Sequence, residues 1–230
     1  MAMVIHKYFG IDGAAESTGV TVVIDIFRAA TTAAYLLGRG VDKVLPVATK
    51  EEAFLYKKQN PDCLLVGEEH GIKIEGFNLG NSPYEVSSAS GLKGKIAVHR
   101  SSAGTQGVVN ATGASEIIFG SFATCSAVAG YIEARNPMTV SIVAMDGAGS
   151  EDDLYADYLI AKLTKKEPKP IEEIVEFMRH HPGGWRFLDP NNREFPEQDF
   201  YLCLSLDAFH FVPLLRGGYL EKVVRVADDG

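Results

Sequence analysis

The chain has 230 residues, 46% of them apolar and 23% charged, with a formal net charge of −8. That length buries a sizeable core in one large domain or two small ones, and the acidic balance excludes a general nucleic-acid binder, which needs a basic face. No apolar run approaches the roughly 18 residues of a membrane span, no basic-then-apolar secretion signal opens the chain, and Cys63, Cys125 and Cys203 form no Cys-x-x-Cys pair. A cytoplasmic protein with reduced thiols and no membrane partner is therefore expected.

Met3–Phe9 reads as a first strand and Ile11–Gly19 as a polar, glycine-containing loop. Val20–Ile26 is apolar and β-branched without polar alternation, the pattern of a strand covered on both faces in a parallel sheet. A helix begins near Arg28, carries Ala29, Ala33, Leu36 and Leu37, and stops at Gly38 and Gly40. Val44–Val47 is the next strand. Thr49, with Glu52 three residues on, forms a capping box for a helix to about Asn60, and Leu64–Val66 is a third strand. Gly71–Pro83 follows neither period and reads as a long functional loop.

The alternation resumes with strands at Lys95–His99, Glu116–Phe119 and Thr139–Met145, a helix-opening turn at Ser101–Gly107, and helices over Ala123–Arg135 and Glu151–Thr164. These two runs predict an α/β fold on a mainly parallel sheet, built as two similar subdomains, 1–92 and 93–230, divided at about Leu92. Beyond a proline-bearing linker, Ile171–His180 is an amphipathic helix and Pro182–Pro196 a long loop holding the only tryptophan, Trp185. Phe200–Phe211 reads as a helix and Gly217-Gly218 as the turn of a closing hairpin.

Ligands of open α/β sheets bind at the carboxyl ends of strands, where both Asp25 and Glu68 fall. Two carboxylates there suit Mg²⁺, a hard cation with oxygen ligands; Glu69 and His70 are alternatives in the same loop. Arg28 offers a planar fork to an oxyanion or pairs with Asp25, and Thr31 and Thr32 add hydroxyls in the first turns of the helix. Ser101, Ser102, Gly104 and Thr105 make a small-residue turn suited to an anion, without the lysine and spacing of a nucleotide-binding P-loop. Glu151, Asp152 and Asp153 open a helix, where the dipole alone favours acids, yet one of them is a candidate metal ligand or base. No Ser-His-Asp grouping, zinc-ligand spacing or dinucleotide fingerprint occurs.

The motifs Asp25-x-x-Arg28-Ala-x-Thr31-Thr32, Gly67-Glu68, Gly76-Phe77-x-x-Gly80-Asn81-Ser82-Pro83, Ser101-x-x-Gly104-Thr105, Gly120-Ser121 and Glu151-Asp152 follow one another in this order. Together they resemble the 2-phosphosulfolactate phosphatase family over about Val20–Leu163, while Pro168–Phe200 reads as a variant or added piece. The resemblance implies a three-layer α/β/α fold of two related subdomains, a Mg²⁺-dependent phosphatase acting on a small anionic phosphorylated substrate, and a step in coenzyme M biosynthesis. On this reading Asp25, Glu68 and Asp152 hold the metal, Arg28 and the Ser101–Thr105 turn clamp phosphoryl oxygens, and Asn81 and Ser82 belong to the substrate loop. Asp25 acts either as nucleophile or as metal ligand beside an attacking water, the second being preferred because no second acid lies two residues beyond it. A homodimer is expected.

Overall fold

A computed structural model describes residues 3–224. In chain order it contains β1 (Val4–Phe9), α1 (Gly10–Glu16), β2 (Gly19–Ile24), α2 (Ala29–Gly38), β3 (Lys43–Val47), α3 (Lys50–Gln59), β4 (Leu64–Glu69) and β5 (Ile72–Lys73). Then come α4 (Pro83–Ser88), β6 (Ile96–Arg100), α5 (Gly104–Asn110), β7 (Ala114–Gly120), α6 (Cys125–Arg135), β8 (Thr139–Ala144) and α7 (Glu151–Leu163). The chain closes with α8 (Ile171–His180), α9 (Pro182–Leu188), α10 (Glu197–Cys203), β9 (Val212–Arg216) and β10 (Tyr219–Val223).

All ten strands form one sheet in the order β1-β8-β2-β7-β9-β10-β3-β6-β4-β5. The pairs β1–β8, β8–β2 and β2–β7 are parallel, as are β3–β6 and β6–β4. The antiparallel hairpin β9–β10, turned at Gly217 and Gly218 with φ of 54° and 85°, bridges the two parallel halves through Ile118↔Leu214 and Leu220↔Val44. The α/β/α expectation holds. A cut near Leu92 does not separate the halves: β1, β2, β7 and β8 share one, and β3, β4 and β6 the other.

The central strand β2 is buried from Val20 to Ile24, as its unbroken apolar run requires. Alternation sends Val22 and Ile24, with Ile118, Val140 and Ile142, into a core shared with α6, α7 and the C-terminal helices. Val23, Phe119 and Val143 face the other side, where α2 lies. That core continues into the second half through Val44, Val66 and Ala97. Helix α2 thus packs across both halves, and every residue from Ala29 to Leu37 is buried. Its four alanines allow the close approach that such burial needs. Leu65, Val98 and Ala53 make a smaller core under α3, whose capping box at Thr49 and Glu52 forms as expected. The three cysteines are buried and free.

Three stretches differ from expectation. Ile11–Gly19 is largely helical, because α1 packs Gly13 and Ala14 inward and Gly13 lies against Tyr8 with no room for a side chain. Pro182–Leu188 is a helix despite its Gly-Gly: a Cβ on Gly184 would sit 2.0 Å from the Met178 carbonyl oxygen, so this glycine serves helix–helix contact. The helix expected over Phe200–Phe211 stops at Cys203, and Asp207, at φ 54°, turns back to cap α6 through Ser126 N at 2.6 Å.

Candidate active site

Register sets the site. Ile24 lies beside Gly120 on β7 and Ala144 on β8, so the segments leaving β2 and β8 emerge at one level. Asp25 ends β2 and caps α2: its Oδ1 accepts from Ala29 N at 2.8 Å and its main-chain carbonyl from Ala30 N at 2.9 Å. The nearby Gly104 N–H lowers the pKa of the same carboxylate. A Cβ on Gly104 would lie 2.6 Å from Asp25 Oδ2, so only glycine permits α5 to start here.

Glu68 leaves β4 and accepts from the backbone N–H groups of Gly71 and Ser102, and from Ser102 Oγ at 3.1 Å. The turn expected to cradle an external anion therefore gives its Ser102 N–H to the protein's own Glu68, while Ser102 still lines the cavity. Ser101 and Thr105 hold that turn by exchanging bonds of 2.8 and 2.9 Å and are buried. Thr31 donates to the Ile26 carbonyl at 3.0 Å and Thr32 is buried; neither lines the cavity. Ser82 caps α4 and donates to Asp199 at 2.9 Å. Asn81 lines the cavity, its Oδ1 3.0 Å from His99 Nε2. Burial pushes His99 down to about 4, so the neutral ring donates to that oxygen and leaves the amide nitrogen for the cavity.

Asp152, in the first turn of α7, accepts from Ile26 N at 2.7 Å and Asp146 N at 3.0 Å. Both its oxygens thus tie the segment after Asp25 to the loop after β8. Asp25, Glu68, Asp146, Glu151 and Asp152 border one cavity of about 190 Å³, opposed by the guanidinium groups of Arg28 and Arg186. Burial, reinforced by Glu68 and Asp146, pushes the Asp25 carboxyl up to about 6. Burial, then Asp146, pushes Glu151 up to about 7, against the pull of Arg186. Burial, Glu151 and Asp25 together hold Asp152 well above the ordinary carboxylate range. Five acids against two cations is a field that a divalent cation relieves, and an all-oxygen donor set has the hardness Mg²⁺ requires. Among the described residues no three His, Cys, Asp or Glu side chains make a ready-formed cage.

Arg28, joined to Phe27 by a cis peptide bond, lines the cavity but spends its donors inside the protein. Its ion-pair partner is Asp199 at 2.9 Å rather than Asp25, and it also donates to the carbonyls of Glu194 and Gly71 at 3.1 and 3.2 Å. Its guanidinium lies 4.6 Å from the Phe195 ring. Arg186 lies 4.8 Å from the same ring.

The model of the family described as 2-phosphosulpholactate phosphatase matches residues 9–218. The chain belongs to the 2-phosphosulpholactate phosphatase family. It is thereby a member of a family of phosphoric monoester hydrolases. Relatives that carry the name probable 2-phosphosulfolactate phosphatase include three from different organisms. The protein from Carboxydothermus hydrogenoformans is 42% identical over 156 residues, 66% of this chain and 62% of the relative. That from Caldanaerobacter subterraneus subsp. tengcongensis is 33% identical over 227 residues, 90% of each chain. That from Thermoplasma acidophilum is 32% identical over 201 residues, 84% of each. The 2-phosphosulpholactate phosphatase match extends through Pro168–Phe200, so this piece lies inside the family's span.

Sequence reasoning missed Asp146, Arg186, Phe195 and Asp199. Asp146 sits one residue past an expected strand that ends at Met145, so the strand-end rule that found Asp25 also reaches it. The other three lie in the helices and loop after α7, which carry no local signature of a site.

Proposed function

We propose that the chain hydrolyses 2-phosphosulfolactate to sulfolactate and phosphate, with Mg²⁺ held by Asp25 and Asp146. The observation that carries this reading is the meeting of five carboxylates with two arginines in one small cavity at the strand ends of a family phosphatase. A bound Mg²⁺ would draw charge from the phosphoryl oxygens and lower the pKa of a water beside them. Glu151, whose carboxyl burial raises to about 7, would accept a proton from the attacking water, and the sulfolactate oxygen would take up a proton from that acid or from solvent as its bond to phosphorus breaks. Asp152 fixes the two segments that carry Asp25 and Asp146. Asn81 offers its amide N–H to an oxyanion.

The bond from the Ala29 N–H to Asp25 and the close packing of Gly104 against it support a ligand role over a nucleophilic one, since they restrain the carboxylate from advancing on phosphorus. Rapid-quench trapping that finds phosphate on Asp25 would reverse this assignment. The reading itself is tested by phosphate release from a panel of phosphorylated 2-hydroxy acids by chelator-stripped protein, with and without Mg²⁺. Mg²⁺-dependent turnover with 2-phosphosulfolactate preferred is expected; preference for another monoester changes the substrate, and no turnover on any member removes the reading.

A further inference from the structure

We propose that Arg186 anchors a second anionic group of the substrate, its sulfonate or carboxylate, and so sets specificity; this rests on the phosphatase reading above. Arg186 enters the cavity from α9, away from the strand ends. Its Nε is buried and finds no hydrogen-bond partner among the described residues. Its Nη2 makes a long bond, 3.4 Å, to the Phe27 carbonyl, and among the described residues it forms no ion pair, although it lies near enough to Glu151 to pull that carboxyl's pKa down. The rings of Phe187 and Phe195, 5.3 and 4.8 Å away, supply a wall that cannot satisfy its N–H groups.

A buried donor without an acceptor is costly, and a planar fork suits an oxyanion. Arg28 is otherwise committed to Asp199 and two carbonyls, so Arg186 is the cavity cation with its fork to spare. The charge balance points the same way. A phosphoryl group reaches the carboxylate cluster through a cation, but the substrate's remaining anions meet five acids there and need a positive partner supplied by the chain.

The Mg²⁺-loaded protein is titrated with sulfolactate and separately with inorganic phosphate, as wild type, Arg186→Gln and Arg186→Lys. Arg186→Gln should weaken sulfolactate about 10- to 100-fold and change phosphate less than about threefold, the size expected for a charged hydrogen bond confined to one group. With 2-phosphosulfolactate, its KM should rise more than its kcat falls. Arg186→Lys should recover part of the affinity, having charge without the fork. A lactate titration separates the anions: a loss retained on lactate assigns the carboxylate, a loss confined to sulfolactate the sulfonate. Equal weakening of sulfolactate and phosphate, or no binding of sulfolactate by wild type, or no effect of Arg186→Gln, overturns the anchor. Arg186-dependent binding of sulfolactate by a protein that hydrolyses no phosphoester keeps the anchor and refutes the phosphatase reading.

Discussion

Replacing Asp199 by alanine should destabilise the protein severely, although Asp199 does not line the cavity. Asp199 is fully buried, and Arg28 is 4% exposed. The carboxylate accepts from Arg28 at 2.9 Å and from Ser82 Oγ and Tyr84 N, both at 2.9 Å. Burial pushes the Asp199 carboxyl up, and Arg28 with these donors pulls it down without winning, so the pair adds little net stability over apolar replacements. Breaking it from one side is different: a buried guanidinium is left without its counter-charge, at about 3–5 kcal/mol. At about 2–4 °C per kcal/mol for a domain of this size, the midpoint should fall by roughly 6–20 °C. Urea unfolding of Asp199→Ala, Arg28→Met and the double variant measures this. The double variant should be less destabilised than the sum of the singles. Additive losses, or a single-variant cost below about 1 kcal/mol, would refute the reasoning.

Gly104→Ala should lower phosphatase activity at least about tenfold and cost about 1–3 kcal/mol, because its Cβ meets both Asp25 and Ala29; unchanged kinetics would show that Asp25 need not stay in place. In chelator, stability should fall as pH rises from about 4 to about 7: Asp25 and Glu151 titrate near 6 and 7 when folded, above their ordinary values, so the folded state binds more protons across that window. Thermal midpoints in EDTA from pH 4.5 to 8 check this, a flat or rising profile being the contrary result. Thr49→Ala removes the capping box of α3, should cost about 1 kcal/mol in urea, and should leave activity alone.

What the sequence made legible follows from how local each signal is. Val20–Ile24 announces a doubly covered strand by itself, and Asp25 follows from its end. The Thr49 capping box and the Gly217-Gly218 turn are likewise written within a few residues. Arg186 and Asp199 are not: each gains meaning from a partner more than 100 residues away, Phe27 or Arg28. Gly183 and Gly184 gave the signal of a loop, although the close approach to Met178 is what demands glycine at Gly184. The Ser101–Thr105 turn shows the opposite case: its composition suits an external anion, and the chain's own Glu68 takes its Ser102 N–H, a pairing that no local pattern announces.

The most direct test of an Asp25-centred metal phosphatase is phosphate release from 2-phosphosulfolactate by stripped wild type and Asp25→Asn across a Mg²⁺ titration. Wild type should be inactive without the metal and saturate with it, while Asp25→Asn should lose at least about 100-fold in kcat/KM, or about 2.7 kcal/mol of transition-state stabilisation. Metal-independent turnover, or an Asp25→Asn enzyme as active as wild type, would contradict the account.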